Sequence, residues 1–293
     1  MALSETAASF ASHSIAKLLE GLAYRVSATI HSAGPENVHD LRVAIRRFGQ
    51  ALLEFRPGLP GCEVKRIRRK LKPLMSHAGD IRDCDVALKV LSKCQEPGAP
   101  AVRERLAARR KAVLPALAAA LRRWGARRTS SKWRAALLPI DADKTLPRNL
   151  PKLARKFLAH GDKAAQHKSS AESLHSFRIE GKKFRYTLEL YAPVYGAAVQ
   201  EWLEKLKAIQ TALGDAHDAR MVREIAARFD ASSGVEAWLK SRERKKAREF
   251  RKLWEETFGT VSENRRMVAA LRHTPRKPMG RSTSAQVVAV KQA

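Results

Sequence analysis

The stretch "VHDLRVAIRRF" at residues 38–48 predicts a helix with two chemically opposite faces. On a helical wheel, Arg42 and Arg46 lie within about 60° of His39. The large apolar side chains nearby fall on the opposite side of the wheel, namely Leu41, Ile45, Phe48, Leu52 and Phe55. The sequence therefore predicts that this helix buries its apolar face and turns outward a stripe of cations about 10 Å long.

A second stretch, "LHSFRIEGKKF" at residues 174–184, repeats this pattern. Five positions correspond at a constant separation of 136 residues, namely His39 with His175, Arg42 with Arg178, Arg46 with Lys182, Arg47 with Lys183, and Phe48 with Phe184. Two further echoes follow in the same order: "LKPLMSHAGDIRD" (71–83) matches "LKAIQTALGDAHD" (206–218), and "RERLAAR" (103–109) matches "RERKKAR" (242–248). Three echoes in one order predict an internal duplication.

The remaining sequence predicts an all-α protein, because no run alternates with a period of two between turn signals. Helices are predicted over residues 3–31, 36–56, 63–78, 81–95, 100–126, 148–168, 172–192, 198–212, 216–230, 232–258 and 261–271. Residues 127–151 contain three prolines and are predicted to connect two halves, 1–139 and 140–272. Residues 273–293 are predicted to form a disordered basic tail.

The Gly-Asp pairs at residues 79–80 and 214–215 resemble helix ends followed by the N-caps of new helices. Asp83 and Asp218 would then lie in the first turn of each new helix. There they either support a basic side chain of the stripe or simply interact favourably with the helix dipole. Both interpretations stay open at this point.

The charge balance favours a polyanionic partner. The chain has 57 Lys and Arg residues against 29 Asp and Glu residues, a formal net charge of +28. Such a surplus attracts polyanions through the release of their counterions. Mutational bias in a GC-rich genome would also enrich arginine, but it would not place the cations in ordered clusters.

Other classes of protein are disfavoured. No stretch approaches the roughly 18 consecutive apolar residues of a membrane span, and the first twenty residues do not resemble a secretory signal, so the cytoplasm is the expected location. Cys62, Cys84 and Cys94 form no CxxC pair, which argues against a zinc site and suggests packing roles.

The cationic stripe has no acid to balance it in its first copy, whereas a solvated helix face normally interleaves Glu at i,i+4. This favours an anion on the stripe over an ordinary exposed surface. The histidines are expected to be neutral beside arginine. A neutral imidazole can donate one hydrogen bond to a phosphate oxygen, but a purely structural role is equally compatible with the sequence.

The tandem motifs HxxRVxxRRF (His39 to Phe48) and HxxRIxxKKFRY (His175 to Tyr186), each followed about forty residues later by GDxRD or GDxHD, resemble the CHAD family, the conserved histidine α-helical domain. The resemblance covers roughly residues 8–270. It implies two helical bundles related by a pseudo-two-fold axis, with basic side chains lining a central groove or pore. It also implies binding of inorganic polyphosphate, with no catalysis by the domain.

The resemblance assigns the binding role to matching positions in this sequence, namely His39, Arg42, Arg46, Arg47, Lys72, Arg82, His175, Arg178, Lys182, Lys183, Arg185 and Lys207. Asp83 and Asp218 would support them. One position differs between the copies, because His217 replaces Arg82, so the halves need not bind equally. The chain lacks the ExExK signature found in many relatives, so triphosphatase activity is not expected.

Two alternatives to polyphosphate binding remain. A nucleic-acid-binding protein would share the basic surface, but aromatic residues are only 6% of the chain and no recognition module is evident, so nucleic acid is expected to bind only nonspecifically. A metal-dependent phosphohydrolase would use the His-Asp pairs at residues 39–40 and 217–218, but neither pair is kept in the other copy. We therefore expect no metal, no cofactor and no catalysis, and we expect polyphosphate or polyphosphate-containing granules as partners.

Overall fold

The computed structural model describes residues 2–138, 140, 150–167, 169–229 and 231–272. These residues form helices and no strand, which confirms the all-α prediction. The helices are α1 (Ala2–His31), α2 (Pro35–Glu54), α3 (Gly61–Leu91), α4 (Ala99–Ala126), α5 (Thr129–Leu137), α6 (Leu150–Ala165), α7 (Ala171–Tyr195), α8 (Ala197–Ala227), α9 (Ser233–Phe258) and α10 (Val261–Ala270). The predicted tail, residues 273–293, lies outside the described residues.

The prediction that helices end at the two Gly-Asp pairs was wrong. Gly79 and Gly214 lie inside the continuous helices α3 and α8. The reason is burial, because Ala78 and Ile81 are fully buried on either side of Gly79 and carry the apolar face of α3 through the glycine. Packing of this kind outweighs the roughly 1 kcal/mol by which glycine disfavours a helix.

Part of the predicted connector is helical. Helix α5 lies within residues 127–151 because Trp133 and Leu137 are buried in the core. The Trp133 ring stacks on Phe48 at 6.1 Å between centroids and meets Trp124 edge-on at 5.9 Å. Residues 139 and 141–149 of the connector lie outside the described residues.

The predicted apolar faces of the stripe helices are confirmed. On α2, Leu41, Ile45, Phe48 and Leu52 are at most 4% exposed, and Phe55, the residue directly after the helix, is fully buried. On α7, the corresponding buried residues are Phe177, Phe184, Leu188 and Tyr191. Both helices therefore insert their large side chains into the core, and their basic residues are held at the opposite side.

The segments that the sequence predicts to be two halves pack against each other, with α2 on α7 and α3 on α8. The main hydrophobic core contains residues of both halves, and Phe10 stacks on Tyr191 with 5.9 Å between ring centroids. A polar contact crosses the same interface, where Gln50 Nε2 donates to Thr187 Oγ1 at 3.0 Å. This packing brings the basic faces of α2 and α7 close together.

The order of elements parallels the sequence echoes. Helices α2, α3 and α4 contain 20, 31 and 28 residues, and α7, α8 and α9 contain 25, 31 and 26. A duplication of the chain and a division between residues 139 and 140 remain predictions from the sequence.

Candidate functional site

Cations from both halves meet where α2 and α3 face α7 and α8. Arg42, Arg46 and Arg178 lie close enough to Lys182 for their charges to disfavour its protonation. The charge of Arg82 likewise acts on His39 in its own half and on Asp218 in the other half. We call Arg42, Arg46, Arg82, Arg178 and Lys182 the central cluster.

The central cluster is half-buried, whereas the sequence predicted a stripe turned outward. Arg42, Arg46, Arg178 and Lys182 each keep only intermediate exposure. The cause is helix packing, because α2 packs against α7 and the basic faces of the two helices lie beside each other instead of facing solvent. The cations are therefore less hydrated than a surface stripe would be.

Burial changes the protonation of the cluster. Burial first, and then the charges of Arg178 and Arg46, lower the pKa of Lys182 to about 7. Burial is also the main cause of the lowered pKa values of Arg42 and Arg178. An anion placed among these groups would favour their charged forms and relieve their mutual repulsion.

Two guanidinium groups of the cluster have donors without partners. The Nε atoms of Arg46 and Arg178 are buried and make no hydrogen bond to any described residue. A buried donor left in this state costs roughly 1–3 kcal/mol. Arg42 differs, because its Nη1 donates to the Met75 carbonyl at 3.2 Å. An anionic oxygen is the natural acceptor for the remaining donors.

The predicted supporting acids lie beside the cluster but do not neutralise it. Asp83 is exposed and interacts electrostatically with Arg42 and Arg178. Burial raises the pKa of Asp218, while Arg178 and Lys182 oppose this rise. Neither carboxylate forms a direct ion pair with a described residue, so the cluster retains an excess of positive charge.

The two histidine positions have different surroundings. Burial and then the charge of Arg82 lower the pKa of His39, which favours the neutral ring that the sequence predicted. In the second half, His217 occupies the Arg82 position, and its Nδ1 lies 3.4 Å from Nδ1 of His175. Burial, followed by the charges of Arg178 and His175, lowers the pKa of His217 to about 3.

Five of the residues assigned by resemblance have other neighbours. Arg47 Nε donates to Glu189 Oε2 at 2.8 Å, and Arg185 Nε lies 3.4 Å from the other oxygen of Glu189. Lys183 is exposed and lines a separate cavity together with Glu54 and Glu180. Lys72 and Lys207 are exposed on α3 and α8, and Lys207 lies 4.0 Å from Glu204.

A basic cavity that the sequence did not predict lies next to the central cluster. It has a volume of about 460 Å³ and lies between the start of α7, the middle of α8 and one face of α9. Its charged and imidazole side chains are His167, His175, His217, Arg220, Arg223, Lys240, Glu243, Arg244, Arg248 and Arg251. We call it the α9 pocket. The basic segment "RERKKAR" at residues 242–248 indicated a concentration of cations on α9. Its spacing did not show which helices pack against α9.

Asp40 and the three cysteines do not belong to a metal-binding group among the described residues. Asp40, of the first His-Asp pair, forms an ion pair with Arg25 at 2.8 Å. Among the described residues, no group of three His, Cys, Asp or Glu side chains is arranged to hold a metal ion. Cys84 and Cys94 are buried as predicted, but Cys62 is exposed and has no packing role. No helix in the described part of the chain could span a membrane.

Comparison with known proteins identifies a family and two similar solved structures. The family model described as "CHAD domain" matches residues 13–227. The crystal structure of the CHAD domain from the plant Ricinus communis is 24% identical, with a TM-score of 0.63 over 94% of this chain and 93% of that one. PptA from Streptomyces chartreusis is 17% identical, with a TM-score of 0.55 over 83% of this chain and 99% of that one. No curated protein matches the chain. The structural likenesses show a shared helical fold.

Proposed function

We propose that this chain, which belongs to the CHAD domain family, binds inorganic polyphosphate through the central cluster without hydrolysing it. The observation that supports this most strongly is the pair of buried, unpartnered Nε donors on Arg46 and Arg178, on opposite sides of the interface between the halves. Together with Lys182, they offer charge and hydrogen bonds that the protein itself does not use.

Polyphosphate fits this arrangement because each of its units carries negative charge and no base. In the proposed complex the polymer lies in a basic groove between α2 and α7. Successive phosphates would accept hydrogen bonds from Arg42, Arg46 and Arg178. Arg82 and Lys182 would add charge from α3 and α7, and the exposed Lys72 and Lys207 would extend the track along α3 and α8.

The scarcity of exposed aromatic rings in the described part of the chain favours polyphosphate over nucleic acid. Proteins that bind single strands stack bases on exposed aromatic rings. Among the described Phe, Tyr and Trp residues, Tyr24 on α1 is the only exposed one. The cationic cluster would therefore contact the backbone of a nucleic acid but leave its bases without partners.

Binding without catalysis is also part of the proposal. Enzymes that transfer phosphoryl groups position metal ions and a nucleophile around the reacting phosphate. In the first His-Asp pair, Asp40 is paired with Arg25. The described residues hold no group of three His, Cys, Asp or Glu side chains arranged for a metal ion. The protein would act as a binding module in the cytoplasm, either free or on polyphosphate-containing granules.

The deciding experiment is a titration of labelled long-chain polyphosphate, with bulk RNA as competitor at equal phosphate concentration. We expect RNA to displace the label poorly, and we expect affinity to fall steeply with salt, as it does for proteins that contact many phosphates. Equal displacement by RNA would show a general nucleic-acid-binding surface instead. Release of orthophosphate on addition of Mg²⁺ or Mn²⁺ would show catalysis.

A further inference from the structure

The α9 pocket is a concave site of the size that small ligands occupy. Its volume of about 460 Å³ lies within the roughly 300–1,000 Å³ of typical small-molecule pockets. Among its described lining residues are six Lys and Arg side chains, three His and a single acid, Glu243. A pocket with this charge selects for anions.

Two of the six cations are neutralised by neighbours. Arg220 contacts Glu172 and Glu224, each at 2.9 Å. Arg223 lies 3.3 Å from Glu243.

The other four cations of the pocket form no ion pair with any described carboxylate. All four lie on α9: Lys240, Arg244, Arg248 and Arg251. The Nε atom of Arg251 is buried and makes no hydrogen bond to a described residue. One helix therefore contributes a concentrated, unbalanced charge and at least one unused buried donor to the pocket.

The first half shows that this imbalance is not a necessary feature of the fold. The sequence echo pairs Arg105 and Arg109 of α4 with Arg244 and Arg248 of α9. Arg105 Nη1 donates to the Phe229 carbonyl at 2.6 Å. Arg109 lines a smaller cavity of about 140 Å³ that also contains Asp80, Asp83 and Glu224.

An acid of the first half is replaced by a cation in the second half. Asp85 of α3 is matched in the predicted repeat by Arg220 of α8. Asp85 is almost fully buried and pairs with Arg110 at 2.6 Å. Arg105, Arg109 and Arg110 of α4 thus lie beside carbonyl or carboxylate groups supplied by both halves. The four α9 cations in the equivalent region have no ion pair with a described carboxylate.

We infer that the α9 pocket is a separate binding site for a compact, phosphate-rich anion of about the size of tripolyphosphate. Lys240, Arg244, Arg248 and Arg251 would hold its phosphates, and His167, His175 and His217 would offer hydrogen bonds at the rim. The four α9 cations lie beyond residues 13–227, the segment that matches the family model. The site is independent of whether the central cluster binds a polymer.

The pocket and the central cluster share a border at His217, which lines the pocket and interacts electrostatically with Arg178 and Lys182. The bound phosphate group therefore has two possible sources. It is either a free short oligophosphate or the end of a longer chain that also crosses the central cluster. Both sources present the same chemistry to α9.

The test is calorimetric titration of the full chain with tripolyphosphate. Charge reversal by Arg244→Glu and Arg248→Glu is expected to weaken binding by at least about tenfold, since two charge-assisted contacts are lost. The matched control is Lys245→Glu with Lys252→Glu, which makes the same change in net charge on the same helix. These lysines lie on an exposed face about 80–100° from Arg244 and outside the pocket lining.

We expect the control to bind within about twofold of wild type. Circular dichroism on each variant checks that the helices are retained. If the pocket variant folds poorly, Arg251→Gln removes charge without reversing it and is expected to weaken binding on its own. Equal weakening by pocket and control variants, or no binding of tripolyphosphate to the wild-type protein, would overturn the inference.

A second arm separates the two sources of phosphate and keeps this inference distinct from the proposed function. Arg46→Gln with Arg178→Gln should weaken long-chain binding and leave tripolyphosphate binding intact, which supports a site for free oligophosphate. If the pocket variant also weakens long-chain binding, the pocket receives a chain end. If long-chain polyphosphate does not bind but tripolyphosphate binding still requires Arg244 and Arg248, the proposed function is wrong and the inference about the α9 pocket is supported.

Discussion

His175 on α7 and His217 on α8 face each other with their Nδ1 atoms 3.4 Å apart. The matching residues in the first half are His39 and Arg82, where an imidazole lies beside a permanent cation. Because the pKa of His217 is lowered to about 3, its ring is neutral at pH 7. The two halves thus carry different charge at equivalent positions, and this difference can be tested by exchange.

Replacing Arg82 by His and replacing His217 by Arg should change polyphosphate affinity in opposite directions. At pH 8, Arg82→His is expected to weaken polyphosphate binding and to lower the slope of log affinity against log salt by about 1, because one phosphate contact loses its charge. His217→Arg is expected to strengthen binding and raise the slope by a similar amount. It should also lower the melting temperature of the free protein, since a new cation would face Arg178 and Lys182. Fluorescence titrations at four salt concentrations measure the slopes, and unchanged slopes in both variants would contradict the assignment of this position.

Polyphosphate affinity should fall as the pH rises above about 7. In the unbound protein the pKa of Lys182 is about 7. A bound anion would raise this pKa, so the protein takes up a proton on binding when the pH is above about 7. Lys182 contributes fully to polyphosphate affinity below pH 7. Above pH 7 the affinity falls by at most about tenfold per pH unit, until the pH reaches the pKa of Lys182 in the complex.

Lys182→Arg should flatten this pH profile between pH 7 and 9, because arginine stays charged. The stability of the unbound protein depends on pH in the opposite sense. The folded-state pKa of Lys182 lies below its ordinary value of 10.5, so the unfolded state binds more protons between the two values. The contribution of Lys182 to the free energy of unfolding therefore rises with pH in that window. A pH profile that is equally steep in the arginine variant would rule out Lys182 as its source.

Neutralising the unpartnered arginines should reduce binding without harming the fold. Arg46→Gln with Arg178→Gln is expected to weaken polyphosphate binding by at least about tenfold, as charge-assisted contacts are lost. Its melting temperature should be unchanged or higher, because two buried donors without hydrogen bonds are removed and the repulsion among the clustered cations falls. A comparison variant, Arg47→Gln with Arg185→Gln, is expected to weaken binding less, because both arginines already lie beside the carboxylate of Glu189. A larger loss of affinity in the comparison variant would move the binding site toward Glu189.

Two equivalent glycines should respond differently to alanine. A Cβ atom on Gly79 would lie 2.8 Å from Arg42 Nη1, whereas a Cβ atom on Gly214 would meet nothing within 4 Å. Gly214→Ala should therefore stabilise α8 by about 0.5–1 kcal/mol, the usual gain from replacing a helical glycine. Gly79→Ala should gain less and weaken polyphosphate binding, because Arg42 must leave its contact with Met75. Urea unfolding and titration measure the two effects, and identical behaviour of both variants would show that Gly79 does not position Arg42.

The regular pattern along each stripe helix was sufficient to predict the helices and their buried faces. Phe48 and Phe184 recur with the helical period and are buried in the structure. The same local reasoning failed at Gly79 and Gly214, where glycine suggested helix ends but packing by distant residues carried the helices through.

The helical content, the two matching basic segments and the family could be read from the chain alone, because they depend on local period and residue type. Which cations meet, how deeply they are buried and which remain without acids depended on the packing of distant helices. Arg46 and Arg178 are far apart in the chain and become neighbours because α2 packs on α7. The pKa of a lysine and the balance of charge in a pocket depend on contacts between such distant residues, and helical periodicity carries no information about them.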